Sequence, residues 1–322
     1  RIFVAGQSGM VGSAILRTLK KRGYTNLLCP KRKELDLSDF LMVQDWFKKN
    51  KPDVVILAAA KVGGIYANNN FTADFILENL KIQTNVIENA WKYNIKRFLF
   101  LGSSCIYPKL ATQPLKEEYL LSGKLENTNE SYAIAKIAGI KLCTALKNQY
   151  GFDAISLMPT NLYGYGDNYH SSNSHVLPAM INKFYQAKVN GSKQVICWGT
   201  GSPKREFLFV DDLAEASIFI LENVSIQNKI LYDELDKFIG ILNVGSGSDI
   251  TIKELAKLIS SIIEYDGEII WDSSKPDGTP RKLLDISKLN KLGWNPKLKL
   301  KEGIELTLKN YIEELKQNNI RI

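Results

Sequence analysis

Ile2-Phe3-Val4-Ala5-Gly6-Gln7-Ser8-Gly9-Met10-Val11-Gly12 opens the chain with four apolar residues, then glycines at three-residue spacing, then apolar residues at helical spacing. An apolar run that ends at glycine and passes into a helical pattern reads as strand, tight turn and helix. The rhythm continues outward. Asn26 to Cys29, Val54 to Ala58, Phe98 to Leu101 and Ala154 to Leu157 read as further strands, with Met10 to Arg22 and Ser38 to Asn50 as helices between them. Such alternation predicts a parallel sheet wrapped by helices, and the continuous apolar runs require burial on both faces. The expected fold is α/β and doubly wound. Asn168 to Asn173 reads as a polar loop, while Phe207 to Val210 and Ile241 to Val244 read as strands returning to the sheet. Residues 1–165 and 207–245 are thus expected to form the larger domain, and 166–206 with 246–322 a smaller, discontinuous C-terminal domain.

Gly6, Gly9 and Gly12 stand directly after the first strand, where glycine permits a tight turn and lets backbone N–H groups approach a pyrophosphate at a helix N-terminus. The sheet is therefore read as a Rossmann sheet holding a dinucleotide. The end of the second strand selects the cofactor: an acid there binds the ribose hydroxyls of NAD, and a base suits the extra phosphate of NADP. It reads Cys29-Pro30-Lys31-Arg32-Lys33, so NADPH/NADP is expected, with Asp36 just beyond placed to face the adenine amino group.

The formal charge of +8 comes from lysines spread along the chain without interleaved aromatic clusters, which argues against a nucleic-acid partner and suits attraction of anionic small molecules. No apolar run approaches the roughly 20 residues that cross a bilayer, so no membrane partner is expected. The opening strand does not read as a secretory signal, and without an initiator Met a few residues are expected to precede it. Cys29, Cys105, Cys143 and Cys197 form no Cys-x-x-Cys pair, so neither zinc nor redox cycling is expected, and a reducing, cytoplasmic location is.

Tyr132-Ala133-Ile134-Ala135-Lys136 begins a long helical pattern, and the four-residue spacing puts phenol and ammonium on one face. A nearby ammonium favours phenolate, so Lys136 is expected to lower the pKa of Tyr132 and make it an acid near neutral pH. Leu101-Gly102-Ser103-Ser104-Cys105-Ile106-Tyr107-Pro108 ends the fourth strand with small hydroxyl residues, at the carboxyl end where ligands gather in an open α/β sheet. Ser103 is placed there to hydrogen-bond a substrate carbonyl. Cys105, two residues on, shares its face if strand geometry persists.

Together the glycine turn, the strand-end serine and the Tyr-Lys pair resemble the extended short-chain dehydrogenase/reductase family, in order and spacing, across nearly the whole chain. Leu292-Gly293-Trp294-Asn295-Pro296 and Glu302-Gly303-Ile304 are similar to its C-terminal pattern. Ala58-Ala59-Ala60-Lys61-Val62-Gly63-Gly64-Ile65, Met158-Pro159-Thr160-Asn161-Leu162-Tyr163-Gly164, Asn173-Ser174-His175 and Lys275-Pro276-Asp277-Gly278-Thr279-Pro280 narrow the likeness to the GDP-L-fucose synthases. That family epimerises GDP-4-keto-6-deoxy-D-mannose at carbons 3 and 5 and reduces its 4-ketone with NADPH. The resemblance implies Ser103, Tyr132 and Lys136 as the reductive triad, with Cys105 as base and His175 as acid in epimerisation. It implies that Gly6 to Gly12, Arg32, Asp36, Leu37, Leu101, Gly102, Ser103, Ser104, Lys136, Pro159, Thr160, Asn161, Leu162 and His175 surround the cofactor. Lys183, Trp198, Arg205 and Asp277 would hold the GDP-sugar. Gln7-Ser8 stands where family members carry His-Arg, and Lys183 where Arg is common.

A single 4-keto group acidifies both neighbouring carbons, so one site with donors aimed at its oxygen runs both reactions. A free cysteine needs nearby positive charge to become a base at neutral pH, and Lys136 and His175 are the candidates. His170 is given no role. A nucleotide-sugar 4-epimerase or 4,6-dehydratase on the same scaffold is the first alternative, but a dehydratase would place Asp-Glu where Ser104-Cys105 stands. A non-catalytic dinucleotide sensor is the second, and it has no need of the Tyr-Lys pair. A homodimer through helices at about 79–93 and 130–149 is expected by analogy with the extended family.

Overall fold

The computed structural model describes residues 1–170, 173–275 and 277–321; Ser171 and Ser172 of the polar loop, Pro276 of the Lys275-to-Pro280 motif and Ile322 lie outside the described residues. The strands are β1 (Ile2–Ala5), β2 (Leu27–Leu28), β3 (Val54–Leu57), β4 (Arg97–Leu101), β5 (Ala154–Pro159), β6 (Asn161–Tyr163), β7 (Gln194–Trp198), β8 (Lys204–Phe209), β9 (Ile241–Val244), β10 (Asp249–Thr251), β11 (Glu268–Asp272) and β12 (Arg281–Lys282). The helices are α1 (Met10–Lys21), α2 (Phe40–Asn50), α3 (Ile65–Asn70), α4 (Thr72–Lys92), α5 (Glu130–Tyr150), α6 (Val176–Val189), α7 (Val210–Asn223), α8 (Ile252–Ile263), α9 (Ser287–Lys291) and α10 (Leu300–Lys316).

The main sheet runs β2-β1-β3-β4-β5-β9, with every pair parallel. Its apolar runs are buried on both sides, as their continuity predicts. In β4, Phe98 and Phe100 enter the core shared with α2, α4 and α5, while Leu99 and Leu101 enter the opposite core shared with α1 and α7. The chain leaves β1 toward β2 on one side and resumes at β3 on the other, so the crevice at the carboxyl ends of β1 and β3 is the topological switch point.

Ile241 to Val244 returns to this sheet as β9, but Phe207 to Val210 does not. Its strand, β8, sits in a separate four-stranded sheet, parallel to β6 and β12 and antiparallel to β10. The reason lies in alternation. Phe207 and Phe209 point into a third core built around α6, α8 and α10, while Leu208 points back into the core under α7. β8 is thus a seam between the sheet and the smaller body. That body adds a two-stranded sheet of β7 and β11, which sequence periodicity did not separate from its surroundings.

Candidate active site

At the switch point the turn after β1 is made of close backbone contacts. Gly6 has φ +90°, and a Cβ there would lie 2.6 Å from the Ala59 backbone nitrogen beyond β3; a Cβ on Gly12 would collide with the Gly6 carbonyl oxygen. Helix α1 then starts at Met10, after the N-cap Gly9, with no side-chain cap and no acid in its first turn, leaving its first N–H groups to an outside acceptor. This cradle fits a dinucleotide pyrophosphate. Ser8 is exposed beside it, and Gln7 Nε2 donates to the Cys29 carbonyl at 2.8 Å, tying the turn to the end of β2. Met10 and Val11 pack into the core under α1.

Beyond β2, Arg32 is exposed, and Asp36 accepts from Ser38 N at 2.9 Å and Ser38 Oγ at 2.7 Å. These hydrogen bonds, with Arg32 nearby, hold the Asp36 carboxyl below the usual range. Leu37 packs into the sheet's core. On the other wall, Thr160 Oγ1 and Asn161 Nδ2 both donate to the Glu206 carbonyl, at 3.2 and 2.8 Å, locking the segment from Pro159 to Leu162 against β8.

Past β4 the chain does not continue extended. Ser103 caps a 3₁₀ turn over Ser104–Ile106, accepting from Cys105 N at 3.2 Å, so turn geometry rather than strand alternation sets Cys105 beside Ser103. Leu101 and Gly102 are buried beneath. Opposite stands α5, capped at its far end by left-handed Gly151, with Tyr132 and Lys136 in its first two turns. Lys136 is buried, donates to the Leu101 carbonyl at 2.8 Å and lies 5.9 Å from the Tyr132 ring centroid.

Burial pushes the Lys136 ammonium down to about 7. The same cause pushes the Tyr132 phenol up, the neighbouring Cys105 adds to it, and only the Ser103 hydrogen bond opposes. The expectation that Lys136 lowers the Tyr132 pKa is therefore corrected for this structure, because the ammonium is spent on a backbone carbonyl and desolvation dominates.

His175 is the N-cap of α6, one residue before the helix rather than inside it, and its surface is exposed. Dense surroundings first, and Lys282 second, hold its pKa below the ordinary histidine value. His170 Nδ1 accepts from Asn173 N at 3.2 Å, and the His170 carbonyl accepts from Ser174 Oγ at 2.6 Å.

Two residues that no sequence pattern marked reach Cys105. Asn129 Nδ2 donates to its sulfur at 3.1 Å, and Lys282 Nζ lies 3.4 Å away. Burial alone would raise the thiol, but Lys282, the Ser103 hydrogen bond and Arg205 outweigh it and leave the pKa lowered. The foremost of these positive groups is thus Lys282, where the sequence offers Lys136 and His175.

The remaining candidates line the smaller body. Arg205 is half-buried beside Cys105, with Nη1 donating to the Lys204 carbonyl at 2.7 Å. Lys183 donates to the Ile196 carbonyl at 2.7 Å and stands 6.0 Å above the Trp198 ring, which is 52% exposed; Lys275 stands 5.7 Å above the same ring. An open aromatic face flanked by two ammonium groups suits a planar base with phosphates attached. Asp277 binds Thr200 N at 3.0 Å and Thr200 Oγ1 at 2.7 Å, so here it shapes the turn after β7.

A glycine cradle at the switch point, with a Ser-Tyr-Lys group beside it, is the arrangement of a nicotinamide-dependent sugar-modifying scaffold. The NAD dependent epimerase/dehydratase family model matches residues 2–232. The chain belongs to this family. Among curated relatives, it is 55% identical over 315 residues to GDP-L-fucose synthase 1 of Arabidopsis thaliana, covering 98% of this chain and 94% of that protein. GDP-L-fucose synthase of Escherichia coli (strain K12) is 50% identical over 313 residues, covering 97% of each. Among solved structures, MlghC, a GDP-mannoheptose C4 reductase from Campylobacter jejuni with NADP bound, superposes with a TM-score of 0.87 at 39% identity, covering 97% of this chain and 98% of that one.

Proposed function

We propose that this chain converts GDP-4-keto-6-deoxy-D-mannose to GDP-L-fucose by epimerisation at carbons 3 and 5 followed by NADPH-dependent reduction of the 4-ketone. One observation carries the reading: Ser103, Cys105, Tyr132 and Lys136 lie together past the end of β4, in a chain about half identical along its length to curated GDP-L-fucose synthases.

The bound cofactor supplies the hydride to carbon 4. The protein does the rest. The Cys105 thiolate takes a proton from the carbon beside the ketone, and Ser103 and Tyr132 donate toward the keto oxygen as negative charge develops there. His175 returns a proton from the other side of the ring, which inverts the carbon. In the reductive step Tyr132 gives its proton to the oxygen, while Lys136 positions the cofactor. Arg32 is proposed to select NADP through its 2′-phosphate, and Arg205, Lys183, Trp198 and Asp277 to hold the GDP moiety.

The four thiols are unpaired in the described chain, and among the described residues no helix is long and apolar enough to cross a membrane. A cytoplasmic location suits the free thiols. A homodimer through α4 and α5 is proposed by analogy with the extended family.

The test is product identification by NMR after incubation with NADPH and GDP-4-keto-6-deoxy-D-mannose in deuterium oxide. The expected product has the L-galacto configuration and solvent deuterium at both carbons. A product reduced at carbon 4 but carrying no deuterium would leave a simple C4 reductase and remove the epimerase.

A further inference from the structure

Cys105 and Lys282 are 177 positions apart, on opposite walls of the cleft, and their functional atoms stand 3.4 Å apart. The lysine is held in place. Its neighbour Arg281 is bound by Asp249; Leu283 N donates to Gln113 Oε1 at 2.9 Å, and Leu284 N to buried Glu206 Oε2 at 3.0 Å. The β12 register sets Lys282 directly beside Arg205 on β8. With the backbone anchored on both sides, the flexible lysine stem starts from a fixed point.

We propose that Lys282 is a positioning residue for the epimerisation, its ammonium holding Cys105 as the thiolate in the resting enzyme so that the sulfur is ready to accept a proton from the sugar. This rests on the reading of Cys105 as the base.

The groups facing the sulfur agree with it. From β8, Arg205 adds a second positive charge; from α5, Tyr132 is a neutral phenol; Asn129 and Ser103 contribute uncharged hydrogen bonds. His175 has its pKa lowered by desolvation first and by the same ammonium second. Of the groups that lower the thiol's pKa, Lys282 acts most strongly. An opposite charge at such range ordinarily moves a pKa by about 1–3 units, enough to reverse desolvation of a half-buried thiol. When the thiolate takes the carbon-bound proton, the negative charge passes to the keto oxygen, the sulfur becomes a neutral thiol, and Lys282 keeps its proton throughout.

The experiment titrates Cys105 in the intact protein without substrate, following iodoacetamide alkylation of its peptide by mass spectrometry as a function of pH. Alkylation rate tracks the thiolate fraction. Lys282→Met should raise the midpoint by about 1–3 units, slowing alkylation near neutral pH by roughly tenfold or more, and Lys282→Arg should restore most of it. Lys282→Gln serves as a second neutral variant, and NADPH affinity reports that each variant is folded. In deuterium oxide, the pH profile of exchange at the sugar carbons should move with the alkylation midpoint. An unmoved midpoint in both neutral variants overturns the proposal, and so does a moved midpoint with an unmoved exchange profile. Failure of the underlying reading is seen separately: Cys105→Ser would then exchange deuterium at the normal rate.

Discussion

Gly64 lies directly beneath Ser174: its N–H donates to the Asn173 carbonyl at 2.8 Å, and a Cβ on it would come within 2.5 Å of the Ser174 carbonyl oxygen. The loop after β3 therefore fixes the strap that presents His175. Gly64→Ala must push that strap outward, at a cost of about 1–3 kcal/mol for overpacking. The expected result is a larger loss of solvent-deuterium incorporation than of NADPH affinity, because the cradle glycine Gly6 packs on Ala58 and Ala59 rather than on Gly64. Equal losses, measured by exchange NMR and fluorescence titration, would refute the local effect.

Tyr132 stands edge-on to Phe75, with ring centroids 6.3 Å apart, and its aromatic packing survives loss of the hydroxyl. Tyr132→Phe is expected to keep its melting temperature and lose reduction by roughly 10²- to 10⁴-fold, the usual worth of a general acid. NADPH oxidation followed by absorbance checks this. A near-normal rate would remove Tyr132 from the role.

Arg32 is exposed near Asp36, on the segment that follows β2. A charge-assisted hydrogen bond to the 2′-phosphate is worth about 1.5–3 kcal/mol, so Arg32→Ala should narrow the preference for NADPH over NADH by about one to two powers of ten. Steady-state kcat/KM with both cofactors decides it, and an unchanged ratio would count against Arg32.

Glu117 is 3% exposed, accepts from Asn243 N at 3.0 Å and has its carboxyl pushed up to about 7, chiefly by burial and against the pull of Lys288. Between the ordinary glutamate value and about 7, the folded state keeps a proton that the unfolded state has lost. Stability from this group is thus full at the acid end of that window and is lost as pH rises through it. Glu117→Gln keeps the acceptor and removes the charge. The melting temperature should rise above pH 7, by no more than about 3 kcal/mol in stability, with little change at pH 5. Parallel melting-against-pH curves for the two proteins would exclude the buried carboxylate as the source.

Much of the fold was legible along the chain because the interactions that specify it are local. The run from Ile2 to Ala5 can bury both faces only in a wrapped sheet, Gly6 and Gly12 occupy positions where a Cβ would strike backbone, and the four-residue spacing of Tyr132 and Lys136 needs nothing beyond an α-helix to share a face. Periodicity, turn chemistry and helical spacing act over a few residues, so they are written in the order of the residues.

What only the tertiary structure decided depends on distant partners and on desolvation. β8 could not be assigned by its apolar pattern, because Leu208 and its neighbours Phe207 and Phe209 serve two different cores. Ser103 and Cys105 meet through a 3₁₀ turn whose hydrogen bonds override strand alternation. The protonation balance of the site reversed for the same kind of reason. A charge acts through space and burial acts through the surrounding atoms, so Lys136, four residues from Tyr132, turns to the Leu101 carbonyl, while Lys282, far along the chain, lies against the Cys105 sulfur and helps lower its pKa.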